Sequence, residues 1–143
     1  MPALDPVAAA IAPELFQMLA PHQAMDGTRR SPEVLSAAAI AVCSPTAAKN
    51  PEIAAAIWLY VDDLEGAHQI VQSLKSPSAD WLHAIVHRRE GDFGNAMYWY
   101  RHAEKHPLRT LWSPGVPLGA PFPTDVQQEE WTQLFNWLAA NTT

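Results

Sequence analysis

Thirteen prolines punctuate this chain, and four of them stand directly behind a residue that caps helices well: Asp5-Pro6, Ser31-Pro32, Asn50-Pro51 and Ser76-Pro77. Proline is tolerated at the first helical position because the amide hydrogen it lacks would be unpaired there, and its fixed φ already suits the helix. Inside a helix or a central strand it removes a hydrogen bond and clashes. The chain is therefore divided into short helices. Composition agrees: alanine is abundant, Val, Ile and Thr are sparse, and no stretch alternates apolar and polar residues at the period a half-buried strand needs. The expected fold class is all-α.

From these starts the pattern predicts seven helices, at about 6–20 (broken or kinked at Pro13), 32–43, 51–61, 63–75, 78–90, 92–105 and 125–139. Gly91 ends one helix as a left-handed cap and Asp92 begins the next, so the two pack antiparallel as a pair. Residues 108–123, LRTLWSPGVPLGAPFP, hold four prolines and two glycines and are expected to form one long irregular loop. Thr124 and Gln127 are spaced as a capping box, followed by an apolar stripe of Val126, Trp131, Leu134, Phe135 and Leu138.

With 143 residues, 48% of them hydrophobic, the chain can bury a sizeable core as one domain without disulfides or metal. The expected organisation is a single helical domain over 1–143: capping helices in 1–50, two helix pairs in 51–107, the Pro/Gly loop in 108–123 and a final helix in 124–143. Nine basic residues stand against 15 acidic ones with no basic block, so nucleic acid is not an expected partner. The one cysteine, Cys43, excludes an internal disulfide and is expected to be a buried thiol. No signal-peptide pattern and no long uncharged apolar run is present, which points to a cytoplasmic protein with no membrane partner.

The segments DLEGA from Asp63 and DFGNA from Asp92 align at a spacing of 29 residues. In the second copy Gly91, Phe93, Ala96, Tyr100, Ala103 and Pro107, with Trp81 on the preceding helix, resemble the tetratricopeptide repeat. The likeness covers 51–107. It implies antiparallel helix pairs stacked so that small alanines allow close approach and aromatics fill the space between pairs. The first copy lacks the turn glycine before Asp63, and the flanking helices are needed as caps. The run from His83 to Trp99, HAIVHRREGDFGNAMYW, is also similar to a segment of small bacterial proteins, a likeness that implies no activity.

Five of the six histidines fall between 68 and 106. On a helix, with Asp80 at 0°, His83 falls at about 300°, His87 at about 340° and Glu90 at about 280°, one polar stripe opposite Trp81, Leu82, Ile85 and Val86. Histidines four apart can share one metal, and Glu90 is placed to complete a His83, His87, Glu90 set for a divalent transition metal. His68, at the edge of its own helix's apolar face, can approach the same stripe. The leading expectation for the stripe is a solvated face or a hydrogen-bonded packing cluster, with a ligand pocket built from His68, Asp80, His83, His87 and Glu90 standing beside the metal set as an alternative.

Arg88 and Arg89, in the last turn of their helix, are expected to pair with Glu90, Asp92 or Glu104, or else to bind an anion or substrate carboxylate. Tyr98 and Trp99 point away from the face of Phe93 and Tyr100 and are candidates for a recognition surface. No catalytic signature is present. The leading functional expectation is a non-enzymatic module without a cofactor, contacting a protein, a peptide or a second copy through Tyr98, Trp99, Arg88 and Arg89. The alternative is a small-molecule or metal site on the histidine stripe, with or without enzymatic activity. Convergence of His68 with His83 and His87, together with a carboxylate and a solvent path, favours the alternative, and dispersal the module.

Overall fold

The computed structural model describes residues 3–27 and 30–142, so residues 1, 2, 28 and 29 of the expected capping segment and residue 143 of the final one lie outside the described residues. Among the described residues there are nine α-helices and no strand: α1 (Pro6–Ala9), α2 (Pro13–Met18), α3 (Pro32–Val42), α4 (Pro45–Lys49), α5 (Pro51–Tyr60), α6 (Leu64–Val71), α7 (Pro77–Arg89), α8 (Phe93–His102) and α9 (Thr124–Ala140). Short 3-10 turns occupy Pro21–Gln23, Ala103–Lys105 and Pro107–Thr110.

The all-α expectation holds, and the count of seven is corrected to nine. Residues 6–20 form two helices because the chain leaves helical geometry at Ala12, with φ −143°, immediately before Pro13. The helix at Pro45–Lys49 was missed although Ser44-Pro45 repeats the cap-proline signal, with Ser44 Oγ accepting the Ala47 N–H at 3.3 Å. Ser31, Asp63, Ser76 and Asp92 cap α3, α6, α7 and α8 in the same way. The capping box at Thr124 does not form: Pro123 precedes the helix, and Gln127 donates instead to the Phe122 carbonyl. Cys43 is exposed, not buried, because it stands at the C-terminal end of α3.

Helices α5 to α8 pack in sequence, each on the next, and α5 also touches α7. Two of the three turns within this unit, α5 to α6 and α7 to α8, share one geometry. Asp62 and Gly91 have φ +62° and +80°, and the following N–H closes the helix in both, Asp63 to the Trp58 carbonyl at 2.8 Å and Asp92 to the His87 carbonyl at 2.9 Å. The first turn thus reaches the left-handed conformation without glycine, which aspartate tolerates better than most residues. Ala67 and Ala96, equivalent in the repeat, are both fully buried.

Helix α7 is central, with Ser78, Ala79, Trp81, Leu82, His83, Ala84, Ile85, Val86 and Arg88 all buried. The C-terminal helix α9 closes the core from the other side. Trp131 stacks on Phe135 with ring centres 4.6 Å apart and donates its indole N–H to the Ala56 carbonyl at 2.8 Å. Phe16 and Tyr60 join this aromatic cluster, and Tyr60 donates its hydroxyl to the Leu19 carbonyl. No helix among the described residues is long and apolar enough to cross a membrane.

Candidate metal centre

Pairing of α6 with α7 brings His68 opposite His83 and His87. The ring of His68 meets those of His83 and His87 edge-on at 4.9 and 5.5 Å, while His83 and His87, one helical turn apart, stack at 4.9 Å. One nitrogen from each ring lies within 4.8 Å of the others. His83 is buried, and His68 and His87 are half-buried, so the group opens to solvent on one side. Helix α8 supplies the wall: Trp99 stacks on the far face of His83 at 3.9 Å, 11° from parallel.

Burial first, and then the neighbouring His87 and His68, push the His83 imidazole down to about 4, so it is neutral at neutral pH with a lone pair available. His87 Nδ1 lies 3.3 Å from Glu90 Oε1. That contact holds the proton on Nδ1 and leaves Nε2 as the donor atom, the usual arrangement behind a metal-bound histidine. Glu90 therefore supports the group from outside: neither it nor Asp80 contributes an atom to the cluster of three. Asp80 lies at the start of the stripe, where burial raises its carboxyl above the ordinary range against the pull of His102.

The arginines lie elsewhere. Arg88 is buried, where ion pairing with Glu90, Asp92 or Glu104 was expected. Its guanidinium donates to the carbonyls of Leu118 and Ala120 and sits 3.5 Å from the centre of the Phe122 ring, fastening the Pro/Gly loop to α7. Arg89 donates to the Leu59 carbonyl and lies 3.7 Å from Asp62. Tyr98 is exposed as expected and meets Trp99 and His102 at 5.0 and 4.3 Å, whereas Phe93, expected in the core, is half-buried.

Sequence reasoning missed Glu130, which is fully buried and accepts the Trp81 indole N–H at 2.9 Å and the Tyr100 hydroxyl. Burial raises its carboxyl above the ordinary range despite these donors and the nearby Arg88 and Arg89. The signal was present: on a helical wheel Glu130 falls about 40° from Val126, inside the apolar stripe of α9. No family model, no curated protein and no solved structure matches this chain.

Proposed function

We propose that this chain is a metal-binding helical module in which His68, His83 and His87 hold one divalent transition ion, with zinc the best fit. The observation that carries this reading is the convergence of three imidazole nitrogens within 4.8 Å, drawn from two helices. Tetrahedral zinc at about 2.1 Å from each nitrogen needs them about 3.4 Å apart. Rotation of the half-buried His68 and His87 rings supplies that closure, while the Trp99 stack fixes His83. Three neutral ligands leave the ion its full charge and an open position toward solvent, where a bound water is acidified and a small ligand can exchange. The scaffold is read as a tetratricopeptide-like stack of α5–α6 and α7–α8, supported by the shared turn geometry at Asp62 and Gly91.

Metal content and thermal stability of the purified protein test this. One zinc per chain is expected to bind and raise Tm, with an effect of about 2.7 kcal/mol when free zinc is 100 times Kd. His68→Ala, His83→Ala and His87→Ala are each expected to abolish the rise, and His22→Ala, remote in sequence, to retain it. A wild-type Tm indifferent to zinc, or an undiminished rise in His83→Ala, overturns the proposal.

A second reading is favoured by the exposed edge of α8. Tyr98, 48% exposed, stands beside Trp99 and His102 as an aromatic ledge suited to a protein or peptide partner or to a second copy of the chain. Sedimentation distinguishes self-association: a dimer dispersed by Tyr98→Ala supports it, and a monomer at all concentrations removes that form.

A further inference from the structure

Helices α2 and α3 meet along a seam that leaves a groove open to solvent. Its floor is buried and apolar, made by Leu15 of α2 with Ala37 and Ala41 of α3. Two large apolar side chains stand exposed on its walls, Met18 at 52% and Ile40 at 68%. Adjoining hollows of about 350 and 210 Å³ share Glu14, Ala37 and Ile40, so the groove is continuous. On α3 the lining residues Glu33, Ala37, Ile40 and Ala41 follow one face of the helix over about 12 Å, more than two turns. Exposed aliphatic side chains are ordinary singly, whereas two on the walls of one groove mark an interaction surface.

The rim is acidic. Glu14 and Glu33 both line the larger hollow, and neither side chain has an ion pair or hydrogen bond among the described residues. Each occupies the first turn of its own helix, where the dipole favours an anion, but that preference does not account for their meeting at one hollow. Arg30, the described cation nearest to Glu33 in sequence, is turned to the Asp62 carbonyl. These charges choose the occupant. A second copy on a two-fold axis would set Glu14 and Glu33 against their own counterparts, between chains of net charge −6. An anionic membrane surface meets the same repulsion. Apolar side chains flanked by cations satisfy both the walls and the rim.

We propose that the α2–α3 groove docks an amphipathic helical segment of a partner protein, which lays apolar residues at i, i+4 and i+7 between Met18 and Ile40 and pairs flanking Lys or Arg with Glu14 and Glu33. Anchors spaced by seven residues span about 11 Å of helix, the length of the lined face of α3. Helices α2 and α3 carry none of the three clustered histidines, so the groove stands as a site whether or not those bind metal.

The test follows the Met18 and Ile40 methyl resonances of the whole chain, assigned by their loss in Met18→Leu and Ile40→Val. The probe is a helical peptide of about 15 residues with Leu at i, i+4 and i+7 and Lys beside them. Both methyls are expected to shift and saturate with it. A peptide carrying Glu for every Lys, and one of the same composition with its Leu residues spread around the helix, are expected to bind at least about tenfold more weakly. Ile40→Asp, followed at Met18, and the isosteric pair Glu14→Gln with Glu33→Gln are each expected to weaken the Lys peptide at least about tenfold at unchanged helical circular dichroism. The glutamine pair decides the matter even where Ile40→Asp fails to fold. No saturable shift, equal binding of either control peptide, or undiminished binding in the variants overturns the proposal. So do methyl shifts that grow with protein concentration alone, which assign the groove to a second copy, and shifts on phosphatidylglycerol vesicles with none on the peptide, which assign it to a membrane.

Discussion

Ser78 Oγ and His106 Nε2 lie 2.9 Å apart in the core, and the imidazole is the donor. His106 Nδ1 accepts the Leu108 N–H at 3.1 Å, so the ring proton of the neutral form must reside on Nε2. The pair therefore has the composition of a serine–histidine dyad but the wrong tautomer to withdraw a proton from the serine. Its role is to join the start of α7 to the turn after α8.

The consequence is acid sensitivity. Burial, reinforced by Arg109, pushes His106 down to about 4, and burial with His87 and His68 does the same to His83. Both folded-state values lie below the ordinary 6.5, so the fold prefers the neutral rings. The stability they contribute is complete above pH of about 6.5 and is lost as pH falls toward 4, by up to about 3 kcal/mol for each ring. Urea unfolding of metal-free protein at stepped pH measures this. His106→Gln is expected to flatten the slope between those limits, and equal slopes in the two proteins would refute the assignment.

Gly91 tests the turn between α7 and α8 in isolation. A Cβ at this position meets nothing within 4 Å, and φ is +80°. Gly91→Ala is thus free of steric contact and pays only the left-handed backbone cost, about 1 kcal/mol. Chemical denaturation with an unchanged m-value reads it out. A loss below about 0.3 kcal/mol would mean that the turn relaxes to another conformation.

Glu130 organises the buried polar network between α7, α8 and α9. Glu130→Ala strands the Trp81 N–H and the Tyr100 hydroxyl and deprives Arg88 and Arg89 of a nearby negative charge, with an expected loss of about 3–5 kcal/mol. Glu130→Gln keeps the volume and an acceptor oxygen and is expected to lose about 1–3 kcal/mol. Thermal unfolding of both variants checks the order. A Glu130→Ala protein as stable as wild type would remove the network from any structural role.

What the sequence determined by itself is local. Ser31, Ser76, Asp63 and Asp92 ahead of helical segments, and the left-handed cap at Gly91, were legible because caps and turns are decided by a residue and its next three neighbours. The i, i+4 spacing of His83 and His87 was legible for the same reason. Packing decided the rest. Only the docking of α6 on α7 brings His68 within ring contact of the pair. Only the return of the Pro/Gly loop across α7 turns Arg88 inward, because carbonyls of Leu118 and Ala120, separated from it by some thirty residues, replace the acids nearby in sequence. Side-chain partners separated that far along the chain depend on which helix faces meet, and the period of one helix carries no record of its neighbour's register.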